Sequence, residues 1–500
     1  MEEMTPNPAP ENTPAVGRQE LIFAICALIC GAVLCNFTFF GGFNLGFAIA
    51  TVLTLGCAVG YLVVRGCRPG FYAGALLFLS AVIAAGFART DDGFVKFMML
   101  LFLAVSINLG LCLLAKQNLF RPGGITSLLD ACRSYFLFGY GGIPLAFRSL
   151  RALVQQGGPA VKKLGAVAIG FALSVPLLGI MIALLKSADA AFSGVLQLLP
   201  SFSLWETGNT LFFGACFACV IFTQSLALKH RPKSAPVTSG FTLSVNALTI
   251  NTVLIGVSAV FFVYLISQLA YFGGGFAGIL PEKYTMAEYA RRGFFEMAWL
   301  CAINLGVIAL AAGLVRRKEG KLPLLTKLLC LFIALMTLFF VVSASAKMMM
   351  YIDSYGLTRL RVLTEVIMIF LGLATATVAL WLFIPKLPYF KVVLLLALVI
   401  GATVLWADVD TVVACYNVRA YQAGVLETVD ISHLQSLSDG AVPYIAELTQ
   451  DHDQAVANRA KAALSLRERR DGEEDFRNWN IADAIADPYT APYDDSNTTY

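Results

Sequence analysis

Residues 347–365, KMMMYIDSYGLTRLRVLTE, crowd Lys347, Tyr351, Asp353, Tyr355, Arg359, Arg361 and Glu365 between two strongly apolar runs. Charges beside a bilayer need a partner or water, so this density requires an explanation. Lys347 and Tyr351 stand four apart and share a face if the helix continues through them. Gly356 can end that helix, and Thr358 can cap the next one, whose opening turns hold Arg361 and Glu365 at i,i+4. An Arg partner lowers the cost of a carboxylate inside a span. The stretch therefore reads in two ways: a hairpin corner pinned by an ion pair, with tyrosines at headgroup level, or a site for a ligand or ion.

Two further clusters have the same ambiguity. Lys186-Ser187-Ala188-Asp189 closes an apolar run, where Lys186 can snorkel and Asp189 can cap a short helix. Glu296 follows Arg292 by four residues at the start of another run, either as a solvated face or as part of a site. Asp408, Asp410 and Asn417 head the polar C-terminal tail. The candidate ligand-binding set is Lys186, Asp189, Glu296, Lys347, Tyr351, Asp353, Arg359, Arg361, Glu365 and Asp410. No catalytic set stands out, since Walker A, GxSxG and HExxH patterns are absent. His230, His433 and His452 lie near neither one another nor a Cys pair, which argues against a histidine metal site; no cofactor is implied.

The elements that carry these groups are set by composition. The chain is 58% hydrophobic and 14% charged, and its apolar residues come in runs of about 20, the length that crosses hydrocarbon. The pattern predicts an all-α, polytopic transmembrane bundle of about eleven spans, near 21–40, 45–64, 69–88, 94–115, 164–185, 206–228, 249–271, 295–315, 327–346, 361–384 and 390–408. Residues 1–20 are acidic and Pro-rich and are expected to be a disordered tail without a cleavable signal. The segment 124–157 mixes Arg133, Arg148 and Arg151 with aromatic residues and is expected to lie in the interface; 190–202 is too short to span. Residues 409–480 are expected to form a small helical subdomain. Leu434, Leu437, Val442, Ile445 and Leu448 would line one helix face, a second helix would run over about 453–469, and 481–500 would be a disordered tail.

The 12 cysteines sit mostly inside apolar runs and behave as small hydrophobes; Cys216 and Cys219 lack a second pair for a metal. No basic block suggests nucleic acid, and the surroundings are membrane lipids. Taking the N-terminus as cytoplasmic places the larger share of Lys and Arg inside, among them Arg65, Arg68, the set from Lys116 to Lys163, and Lys229 to Lys233. An odd span count then puts the tail outside the cell membrane, on the side of all three clusters. One polar chamber roofed by the tail follows, suited to a zwitterionic or anionic small molecule or lipid headgroup. That favours a binding or sensory/accessory protein. The alternatives are a secondary transporter of a small solute with Glu365 as proton carrier, or a membrane-embedded enzyme acting on lipid or envelope precursors through Lys347, Tyr351, Asp353 and Glu365.

SADAAF (187–192), MYIDSYGLTRLRVLTEV (350–366), and DTVVACYN with LETVDISHLQSLSDGAVPYIAEL (410–417 and 426–448) together resemble a bacterial integral-membrane family, domain of unknown function 4173, with a close relative numbered 4153. Its most specific signals are Tyr355, Gly356, Leu357, Thr358 and Arg361, and then Leu437, Ser438, Ala441, Val442 and Pro443. Family members typically carry Asn-Pro where this chain has Asp408-Val409. The resemblance implies a polytopic membrane protein and no established activity.

Overall fold

The computed structural model describes residues 18–120, 124–144, 181, 204–230, 245–275, 294–316, 322–467 and 475–490. The described chain is helical, with a lone bridge between Val245 and Val315. The bundle contains α1 (Arg18–Gly41), α2 (Leu45–Val64), α3 (Phe71–Gly86), α4 (Gly93–Leu114), the short α5 (Ser127–Arg133), α6 (Leu204–His230), α7 (Ala247–Gly275), α8 (Phe294–Leu314), α9 (Leu324–Tyr355), α10 (Arg359–Phe383) and α11 (Tyr389–Ala407). The tail adds α12 (Val409–Gln422), α13 (Ile431–Gln435), α14 (Val442–Glu447), α15 (Gln454–Ser465) and α16 (Ile481–Ala486). Among the described residues, nine helices are long and apolar enough to cross a membrane, so the chain is a multi-pass membrane protein. At 16 residues α3 is shorter, and turns through Arg89 extend it. The span expected at 164–185 and the short segment expected at 190–202 lie outside the described residues.

Helix ends alternate between two faces. One face, the tail face, gathers the 41–45 turn, the 87–93 loop, the 355–359 corner and the 407–410 junction. The opposite, far face gathers the starts of α1 and α9, the ends of α2, α4 and α6, and α5. The expected interfacial segment begins there as α5, followed by a π-turn at Ser134–Gly139 and a 3-10 turn at Tyr140–Gly142; its remainder, 145–157, is outside the described residues.

Association in lipid relies on close packing and buried polar pairs rather than on a hydrophobic gradient. At Gly31 a side chain would meet the Gly214 carbonyl oxygen and the Ala218 backbone, so α1 and α6 touch through small residues four apart. Polar residues pair from helix to helix: Gln224 donates to Asn108 (2.6 Å) and to Ser134 (3.0 Å), Asn304 to Thr337 (2.9 Å), and Thr326 to Asn251 (2.7 Å). Thr375 instead bonds the Leu371 carbonyl on its own helix.

The tail departs from expectation in detail. Leu434, Leu437, Val442, Ile445 and Leu448 are all buried, but they come from several short elements, because Ser438-Asp439-Gly440 turns the chain and Pro443 opens α14. Asp453 caps α15 by accepting from the Ala455 N–H, and Ala460 and Ala463 face inward. The stretch from 481, expected to be disordered, is helical over Ile481–Ala486 with Asn480 as its cap. The Ile481 N–H donates to the Ala88 carbonyl (2.8 Å), and this docking supplies the order that composition did not suggest.

Candidate functional site

The corner between α9 and α10 is built as its sequence suggests. Gly356 ends α9 at φ +72°, where a side chain would be strained and would meet Asn417 Oδ1. Thr358 caps α10 by accepting from the Arg361 N–H. Asn417, on α12, clamps the corner: Oδ1 accepts from the Leu357 N–H (2.6 Å), and Nδ2 donates to the Leu357 carbonyl (2.8 Å). Seven residues earlier on the same helix, hence on the same face, the buried Asp410 takes Arg359, with Nε donating to Oδ1 at 2.7 Å. Arg359 Nε also stands 3.1 Å from Asp92, which caps α4 by accepting from the Phe94 and Val95 N–H groups. One guanidinium thus ties α10 to α4 and to the tail.

Beside it lies a second carboxylate. Asp408 joins α11 to α12 at φ +55°, a left-handed conformation that Asp and Asn tolerate better than most residues. It accepts from Thr90 (2.8 Å) and Thr411 (2.6 Å) and stands 3.7 Å from Arg89. Burial pushes the Asp408 carboxyl up, outweighing the two hydroxyls and Arg89. Burial also acts upward on Asp410, but the Arg359 guanidinium and the Ser438 N–H (2.8 Å) together hold it below the usual carboxylate range. Two aspartates two residues apart are therefore driven in opposite directions.

The tail has a second anchor. Arg477 binds Glu206 on α6, Asn36 on α1 and its neighbour Asp475, whose carboxyl it holds low. The backbone carbonyls of Arg477 and Trp479 accept from Gly46 and Leu45 (3.1 Å each). Between the anchors, Asp91, Asp439 and Asp483 bring carboxylate oxygens within 4.8 Å of one another; Lys96 reaches Asp91 at 3.6 Å, and Arg467 reaches Asp439 at 2.6 Å.

Of the residues singled out from sequence, Arg359 and Asp410 meet directly. Asp353 faces the tail at Tyr416, whose phenol is pushed up by burial and then by that carboxylate. The expected Arg361–Glu365 pair does not form. Arg361 turns back to the Tyr355 carbonyl (3.1 Å) and the Gly356 carbonyl, and its guanidinium lies 4.1 Å from the Tyr351 ring centre. The orphan carbonyls ending α9 are closer acceptors and match a cation at a helix C-terminus. Glu365 instead accepts from Ser345 on α9 (2.9 Å). Lys347 is half-buried on α9, and Glu296 is exposed at the start of α8. Lys186 and Asp189 lie outside the described residues. Sequence reasoning passed over Arg89, Thr90, Asp92 and Lys96. The signal available was the run Arg89-Thr90-Asp91-Asp92 in the short loop between the spans expected at 69–88 and 94–115.

This corner and its tail clamp fall inside a match to a family described as domain of unknown function (DUF4153), which covers residues 73–448. The chain belongs to this family. The DUF4153 region runs from α3 to α14, so it includes Arg89, Asp92, Arg359, Asp408 and Asp410, and leaves α1, α2 and the Arg477 anchor outside. Comparison with curated proteins and with solved structures found no match.

Proposed function

We propose that this DUF4153 protein is a binding or sensory/accessory membrane protein whose recognition surface is the tail face, on the extracytoplasmic side of the cell membrane. The observation that supports it most is Arg359. Its side chain is 36% exposed while both partner carboxylates are almost fully buried, so the accessible member of this three-residue cluster is a cation. An anionic or zwitterionic ligand that engages Arg359 bears on the same contact that holds the tail. Within the described spans, polar residues pair with each other and outline no continuous path.

The test is a thermal-shift screen of anionic lipids and carboxylate or phosphate metabolites on the purified protein, repeated on Arg359→Gln. A ligand that raises the wild-type Tm should lose its effect on the variant. Equal shifts in both proteins, or none in either, would discard the reading. Orientation is tested by side-specific labelling of cysteines placed at the exposed Ser354 and Glu427. Both should react only from outside.

A secondary-transport reading draws on Glu365, which lies about 9 Å along α10 from its start and keeps one carboxylate oxygen buried without a hydrogen-bond partner. Proton-coupled uptake in proteoliposomes that disappears in Glu365→Gln would favour it over the binding reading.

A further inference from the structure

On the far face, the ends of α2, α4 and α6 enclose a pocket of about 240 Å³, smaller than the roughly 300 Å³ at which pockets for drug-sized ligands begin. Its wall includes Arg68, Lys116 and Lys229 and no acidic residue. The nearby acids are engaged elsewhere. Glu20 pairs with Arg65 (2.9 Å) and stands 3.7 Å from His230, and Asp130 accepts from the Leu119 and Phe120 N–H groups. Among the described residues, none of the three cations has a carboxylate within ion-pair distance.

Two helix C-termini meet in this pocket with the same cap. After α2, the Gly66 N–H donates to Val63 and the Cys67 N–H to Leu62; after α4, the Lys116 N–H donates to Leu113 and the Gln117 N–H to Cys112. The left-handed position of this motif is Gly66 in one case, the usual residue, and Lys116 in the other, at φ +56°. A lysine there carries a backbone cost that glycine would not. An outlier of this kind points to a use for the side chain. Each of the three helix ends contributes about −0.5 charge, so three cations leave the pocket at about +1.5. The exposed Val63, Val64 and Phe71 place it at the edge of the apolar zone.

We propose that this pocket binds a phosphate group, and that Lys116 and Arg68 are its principal ligand-binding side chains. Lys229 has a structural share as well, since its ammonium donates to the Arg65 carbonyl (2.5 Å). The phosphate can come from an anionic lipid headgroup or from a soluble phosphate compound. Basic pockets between spans at headgroup depth suit the former.

The experiment uses the full chain in zwitterionic-lipid nanodiscs, as wild type and as the Arg68→Gln/Lys116→Gly double variant. Retention of phosphatidylglycerol is read by native mass spectrometry, and binding of inorganic phosphate and pyrophosphate by calorimetry. Wild type should retain phosphatidylglycerol over phosphatidylcholine, and the double variant should lose about tenfold or more in affinity. If only the soluble phosphates bind, with the same loss in the variant, the site stands and its ligand is soluble. Because Lys116→Gly relieves the left-handed strain, the variant should fold with an unchanged or higher Tm, so lost binding cannot be ascribed to unfolding. Equal binding by both proteins, or no preference for either phosphate source over phosphatidylcholine, would overturn the proposal.

Discussion

The two ends of this bundle handle charge in opposite ways. At the tail face most described cations meet carboxylates: Arg359 with Asp92 and Asp410, Arg89 with Asp408, Lys96 with Asp91, Arg467 with Asp439, and Arg477 with Glu206 and Asp475, while Arg361 rests on backbone and the Tyr351 ring. At the far face, Arg65 pairs with Glu20, but several other described cations rest on rings or backbone. Lys327 lies over Phe383, Lys391 over Tyr72, and Arg133 near Phe138 while donating to the Gln117 carbonyl. Charge at the tail face is spent on docking one part of the chain to another. Less of the charge at the far face goes to such docking, and the proposed phosphate site draws on it.

The comparison is broken most directly at Asp410. Asp410→Asn leaves Arg359 without its main partner at a buried seam. Removing one member of a fully buried pair costs about 3–5 kcal/mol; Arg359 is partly exposed and keeps Asp92, so about 3 kcal/mol is expected. The measurement is Tm in detergent together with the rate of tryptic cleavage in the tail; an unchanged Tm would mean that the seam does not hold the tail. Arg477→Gln removes the second anchor. Its partners Glu206 and Asp475 are partly exposed, so the expected loss is smaller, about 1.5–3 kcal/mol, and chymotryptic cleavage should rise at Phe476, Trp479 and Tyr489.

The pH dependence sharpens the comparison. Asp410 is held below its ordinary value, so its stabilisation is complete above about pH 4, the unfolded value, and is lost as pH falls through the lower folded value. Asp408 is pushed up, so ionising it costs stability as pH rises from about 4 through its folded value. Tm profiles against pH should lose Asp410's share of the acid limb in Asp410→Asn, with the share held by Asp475 remaining. In Asp408→Asn they should lose the opposing fall; Asn also tolerates the left-handed turn, and the remaining penalty is the lost Arg89 contact and the change of one carboxylate oxygen to an amide. The smallest effect belongs to the far face. Arg68→Gln loses no ion pair among the described residues and should move stability by no more than about 0.5 kcal/mol. A large loss there would remove the contrast between the two ends.

Legibility from sequence followed the range of the physics involved. The helix end at Gly356, the cap at Thr358 and the runs of spans rest on local rules; the structure carries the first two and, among the described residues, nine of the spans. The Arg361–Glu365 pair was read from helical spacing alone. It failed because orphan carbonyls one helix away compete for the same guanidinium. The order of 475–490 could not be read from composition, since it rests on backbone bonds to Leu45, Gly46 and Ala88 far away in sequence.

The sequence by itself determined that this is an all-α, multi-pass membrane protein with a helical tail, because the length and spacing of apolar runs leave a chain in lipid few other ways to satisfy its backbone. Tertiary structure alone decided which charges are partners. Asp92, Asp408, Asp410 and Arg359 lie on three separate stretches of chain, and only the alternation of helix ends brings them to one face. The same alternation sets Arg68, Lys116 and Lys229 around a single pocket. Pairing energies depend on distance and burial, and neither is fixed until the bundle closes.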